Sequence, residues 1–139
     1  MALLPCKGVV SPAQIPVFTA AIAAGFPSPA DDFKEGTLDF NQLLIRHPAA
    51  TYCVRVSGNS MIGAGIQHGA FLVVDRSESP ENGRVVVAAL DGELTVKRLI
   101  CEKGKYYLFA ENADFEPIAL RENQDVVIWG CATYAIHRL

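Results

Sequence analysis

The chain has 139 residues, half of them apolar, which is enough for one ordinary core and too short for two comfortable domains. Its 12 basic and 15 acidic side chains leave a net charge of −3, without the phosphate-neutralising surplus of a nucleic-acid-binding domain, so no direct nucleic acid ligand is expected. No apolar run approaches the roughly 18 to 20 residues that cross a bilayer, and no secretory signal pattern opens the chain, so a cytoplasmic protein with no membrane association is expected.

In chain order, Pro5, Pro12 and Pro16 interrupt the first segment. The Ala-rich stretch 17–24 then has room for about two helical turns, with Gly25 as a left-handed cap. Pro27 and Pro29 hold Phe26 and Ser28 away from the α region and favour an extended connection, so residues 1–30 read as an arm. The stretch 38–46 has apolar residues at 40, 43, 44 and 45 and runs into His47-Pro48, which predicts a short helix stopped by proline.

From Thr51 the period changes to two. Residues 51–57, 71–74, 84–90, 93–100, 105–110 and 126–137 are rich in β-branched or aromatic side chains and predict strands. Turn signals separate them, the sharpest being Asp91-Gly92, which predicts a two-residue hairpin between 84–90 and 93–100. Short strands at this spacing, with no helical crossovers, predict a mostly β, compact antiparallel domain with a flexible N-terminal arm. Cys6, Cys53, Cys101 and Cys131 are scattered, with no metal-ligand spacing, so reduced thiols and neither metal nor cofactor are expected.

Three serine-based arrangements can be weighed. A nucleophile elbow needs G-x-S-x-G, whereas the serine segment here reads Gly58-Asn59-Ser60-Met61-Ile62. A histidine triad could use His47, His68 or His137 with Asp75 among several orienting acids, although no local pattern supports it. A serine-lysine dyad is the third. On the strand 93–98, alternation sends Glu93, Thr95 and Lys97 to one face, where Thr95 could orient the Lys97 amine. At an unperturbed pKa of about 10.4, freeing that amine at pH 7 costs about 4.6 kcal/mol, so burial must lower it before it can serve as a base. Taken alone, Lys97 reads first as an ordinary strand lysine with its head in water, and Ser57-Gly58-Asn59-Ser60 first as a plain polar turn. If that turn enters a short helix through Met61 and Ile62, its amides would converge on an oxyanion beside Ser60.

The segments Val56-Ser57-Gly58-Asn59-Ser60-Met61, Phe71-Leu72-Val73-Val74-Asp75, Gly92-Glu93-Leu94-Thr95-Val96-Lys97-Arg98 and Glu111-Asn112 with Phe115-Glu116-Pro117-Ile118 together resemble the LexA/UmuD family of self-cleaving serine-lysine peptidases. Ala24-Gly25-Phe26-Pro27-Ser28-Pro29-Ala30, Asn41-Gln42-Leu43-Leu44-Ile45, His47-Pro48 and Ala50-Thr51-Tyr52 resemble its UmuD branch. The resemblance implies Ser60 as nucleophile, Lys97 as general base and Ala24-Gly25 as the bond cut, with Met61 and Thr95 in supporting roles. It implies an arm 1–24 removed by self-cleavage, a connector 25–40 and a peptidase-like β domain 41–139. It further implies a homodimer acting in SOS mutagenesis, stimulated by a RecA filament on single-stranded DNA, whose trimmed form joins a UmuC-like translesion polymerase subunit.

Two departures stand out. Ala70 replaces the aspartate common after Gly69, which bears on loop geometry, and Ala24 replaces the cysteine frequent in the UmuD branch. The alternatives are a LexA-like or phage-type self-cleaving regulator and a non-proteolytic binding module on the same fold. A repressor headpiece needs three helices and about sixty residues; only 24 residues precede the expected cut.

Overall fold

The computed structural model describes residues 14–18 and 34–139. It divides the chain into two units, Met1–Leu44 and Ile45–Leu139. In the first, β1 (Gln14–Phe18) pairs antiparallel with β2 (Lys34–Asp39), and a five-residue helix α1 (Phe40–Leu44) follows. This corrects the helical reading of 17–24 at its start. Val17 and Phe18 end β1 opposite Gly36 and Lys34, so pairing with a distant strand satisfies their backbones instead of a local helix; residues 19–24 lie outside the described residues. The helix expected over 38–46 is likewise shorter, because Leu38 and Asp39 belong to β2. The Asp39 carboxylate accepts the Asn41 amide at 2.9 Å, satisfying a first-turn N–H that has no intrahelical partner.

The second unit is built on seven strands: β3 (Thr51–Arg55), β4 (Phe71–Asp75), β5 (Val85–Leu90), β6 (Glu93–Glu102), β7 (Lys105–Phe109), β8 (Ile118–Ala119) and β9 (Val126–Ile136). They lie in the order β3-β4-β9-β5-β6-β7-β8, every neighbouring pair antiparallel. The mostly β, antiparallel expectation therefore holds, and the predicted strands appear with small changes at their ends. The β5–β6 hairpin turns at Asp91 and Gly92, whose φ values of 50° and 84° are the positive pair that a two-residue turn of this hand requires.

The unbroken apolar run of β5 follows from its central place. Val87 packs with Val56, Met61, Ile66, Leu72 and Val74, whereas its neighbours Val86 and Ala88 pack with Leu99, Leu108 and Cys131. Successive residues point to opposite faces, so both faces of this strand are covered, and period two gives way to a continuous run. Among the described residues no helix is long and apolar enough to cross a membrane.

At the end of β4, Asp75 is buried. Its Oδ1 accepts the Ser77 hydroxyl at 2.6 Å and the Ser77 amide at 2.8 Å, and its Oδ2 pairs with His47 Nδ1 at 2.6 Å. The Ser77 hydroxyl and the His47 ring hold the carboxyl down at about 2. A carboxylate depressed in the fold contributes stability that is present above its unfolded pKa of about 4 and is lost as pH falls towards its folded value. Asp75→Asn is therefore expected to flatten the acid limb of stability between about pH 4 and 2. Urea unfolding across that window checks it; an unchanged limb would contradict it.

Candidate active site

Residues 56–70 link β3 to β4, and their apolar members decide where the serine goes. Met61, only 2 % exposed, is sunk among Val56, Ile66, Leu72, Val74 and Val87. Burying a side chain of that size is worth about 1.5–3 kcal/mol, which fixes the residue next to Ser60 to the core. Ile62–Ala64 forms one 3-10 turn, closed by Gly65 in the left-handed region. The Ile62 amide donates to the Asn59 carbonyl at 3.2 Å, and the amides of Ala64 and Ile66 donate to the Met61 carbonyl. Of the two amides considered for an oxyanion, that of Ile62 is thus spent within the turn. The amides of Ser60 and Met61 are not among those donors.

Lys97 comes from the other direction. β7 pairs with β6 from Arg98 to Glu102, leaving Glu93 to Lys97 hydrogen-bonded to β5 on one side. The Lys97 side chain is 8 % exposed, and its Nζ donates to Ser60 Oγ at 3.1 Å, Thr95 Oγ1 at 2.9 Å and the Val96 carbonyl at 3.1 Å. Thr95 and Lys97 share a face, as alternation required. No carboxylate is among these partners, and burial pushes the ammonium pKa down from its ordinary value.

Ser60 and Lys97 border a cleft of about 250 Å³ whose walls include Val54, Met61, Val87, Leu94 and Val96. Such a trough suits an extended segment with small side chains.

Two groups without an assigned role brace the turn. The Asn112 side-chain amide donates to the Asn59 carbonyl at 3.0 Å, and the Gly63 amide donates to the Glu111 carbonyl at 2.8 Å. Glu111 is itself held by the Arg98 guanidinium, which also donates to the Gly83 carbonyl at 2.7 Å. The Asx turn of Asn112, whose Oδ1 accepts the Asp114 amide, is a local signal; the bond to Asn59, 53 residues away, has no signal in spacing.

Among the described residues no hydrogen bond joins a histidine ring to a serine hydroxyl, so the histidine alternative is not assembled there. His47 does pair with Asp75, but the serine in that cluster, Ser77, bonds the carboxylate and not the imidazole. Donor atoms of His47, Asp75 and Glu78 lie within 4.8 Å of one another. They are engaged by one another, by Ser77 and by Arg84. Ala70, the departure from the common aspartate, is fully buried, and its loop is closed by backbone bonds: Gly69 N–H to the Val56 carbonyl and Val56 N–H to the Ala70 carbonyl, both 2.8 Å. The expected cut, Ala24-Gly25, lies outside the described residues.

Comparison with known proteins agrees with this geometry. Residues 16–133 match the Peptidase S24-like family. The chain is 43% identical over 124 residues to Protein ImpA of Salmonella typhimurium, covering 88% of this chain and 83% of that one. It is 44% identical over 123 residues to Protein SamA of the same species, strain LT2, covering 88% and 85%. A LexA repressor from Ectopseudomonas mendocina is 42% identical over 118 residues, covering 84% of this chain and 57% of the repressor.

Proposed function

Because the chain belongs to the Peptidase S24-like family and is a serine-lysine autopeptidase, we propose that Ser60 and Lys97 cut its own Ala24-Gly25 bond and that the trimmed chain then serves SOS mutagenesis. The observation that carries this reading is the 3.1 Å contact between Lys97 Nζ and Ser60 Oγ, with Lys97 buried and, among the described residues, no carboxylate hydrogen-bonded to it.

Donor counting supports the roles. A neutral amine has two N–H bonds and one lone pair. Once the ammonium has lost the proton it directs at Ser60 Oγ, its two remaining N–H bonds stay on Thr95 Oγ1 and the Val96 carbonyl, and the lone pair faces the Ser60 hydroxyl proton. Ser60 Oγ then attacks the Ala24 carbonyl carbon while Lys97 takes the proton. The tetrahedral oxyanion is received by the amides of Ser60 and Met61. Collapse breaks the C–N bond, and Lys97 returns its proton to the departing Gly25 amine, leaving residues 1–24 as an ester on Ser60. Water, deprotonated by the same lysine, hydrolyses the ester and frees the Ala24 carboxylate. Tethering makes the first step effectively unimolecular, which offsets a weak base.

The rate should follow the neutral fraction of Lys97. Below its folded pKa that fraction rises tenfold per pH unit, and it levels off above; burial places the break below the ordinary 10.5. Self-cleavage measured between about pH 7 and 10 is expected to climb, and a flat profile throughout would contradict lysine as the base.

Partners follow from the UmuD-like reading: a cytoplasmic homodimer, stimulated by a RecA filament on single-stranded DNA, whose form 25–139 joins a UmuC-like polymerase subunit. The test is incubation with RecA, a nucleoside triphosphate and single-stranded DNA, then co-purification of the product with that subunit. Faster cleavage and retention of only the trimmed form are expected; equal retention of the uncut chain would contradict the sequence of events.

A further inference from the structure

We infer that His68 is a positioning residue for the nucleophile, tying down the exposed turn that carries Ser60; this rests on the proteolytic reading above. Between the buried anchors Val56 and Met61, residues Ser57, Gly58 and Asn59 are exposed, so core packing does not hold them. In the middle of this span the Gly58 amide donates to His68 Nδ1 at 2.9 Å. A backbone N–H can only donate, so Nδ1 carries its lone pair, and the ring is the neutral tautomer with its proton on Nε2.

The backbone that carries the exposed histidine ring is held in place. Its own turn is closed by Ala70 N–H to the Gln67 carbonyl at 3.1 Å and is joined to the end of β3 by the two bonds between Val56 and Gly69-Ala70. His68 thus holds one side of the serine turn, and Asn112, bonded to the Asn59 carbonyl, holds the other. With the histidine tie cut, Gly58, a glycine at φ 90°, regains backbone freedom two residues before Ser60. Ser60 Oγ then spends less time within reach of Lys97. His68 acts on the reaction through Gly58, and neither Ser60 nor Lys97 is among its hydrogen-bond partners.

The test compares full-length wild type, His68→Phe and His68→Asn for spontaneous self-cleavage at alkaline pH without RecA, read by intact mass. Asparagine puts Oδ1 at the same bond distance from the backbone as Nδ1, so it keeps the acceptor without a titratable ring. His68→Phe is expected to cleave roughly three- to tenfold more slowly, the range for one hydrogen bond, and His68→Asn within about twofold of wild type. In uncleaved Ser60→Ala protein, imidazole nitrogen NMR should report an unprotonated Nδ1. The Gly58 amide proton should move upfield on adding His68→Phe and much less on adding His68→Asn. Wild-type cleavage with an equally fast His68→Phe, or a His68→Asn as slow as His68→Phe, would overturn the inference alone. A wild type that never cleaves would overturn the proteolytic reading with it, whatever the NMR shows.

Discussion

Lys97→Met is expected to abolish self-cleavage, by at least about 100-fold, while leaving the β domain folded and no less heat-stable at pH 7. The first half follows from removing the general base, a contribution typically worth 10²–10⁴ in rate. The second half follows from burial. Lys97 is 8 % exposed and has no carboxylate among its hydrogen-bond partners, so holding it as an ammonium carries a desolvation cost that methionine, of similar length, does not. Linkage gives the same sign. A lysine whose folded pKa lies below its unfolded value binds fewer protons when folded, so stability rises with pH between those two values and is lowest below both. Wild-type stability should therefore increase towards pH 10, and that increase should shrink in Lys97→Met. Thermal unfolding at pH 7 and pH 10 checks it; a methionine variant that unfolds well below wild type at pH 7 would contradict it.

Gly130→Ala is expected to cost about 2 kcal/mol of stability without touching the dyad. Gly130 lies where β9 passes between β4 and β5, beside the irregularity in its pairing with β5. A Cβ there would come within 2.8 Å of Val74 Cγ1 and 3.0 Å of the Asp75 carbonyl oxygen. Val74 is fully buried and Asp75 is fixed by Ser77 and His47, so neither can yield cheaply. The melting temperature should fall by about 5–10 °C, and the cleavage rate of the folded fraction should stay near wild type. A melting temperature within 1 °C of wild type would contradict this account of the packing.

The sheet was legible because period two and turn chemistry are local. Thr51 onward alternates, Asp91-Gly92 can take the positive φ pair a tight hairpin needs, and Thr95 and Lys97 fall on one face by alternation alone. The β1–β2 pair was not legible: Lys34-Glu35-Gly36-Thr37 shows no apolar alternation, and its partner strand ends 16 residues earlier, at Phe18. The dyad was half legible. Spacing names Lys97 as a strand lysine and Ser60 as a turn serine, but their meeting across 37 residues depends on Met61 filling the core, and it was resemblance that paired them. The ties of His68 to Gly58 and of Asn112 to Asn59 join side chain to backbone across 10 and 53 residues, and a donor or acceptor of that kind leaves no periodic trace.

Intact mass of the full chain after alkaline incubation tests the central claim most directly. Wild type should yield a product beginning at Gly25, with the complementary piece 1–24, and neither should form in Ser60→Ala or in Lys97→Met. Cleavage at Ala24-Gly25 that survives either substitution would contradict a serine-lysine dyad.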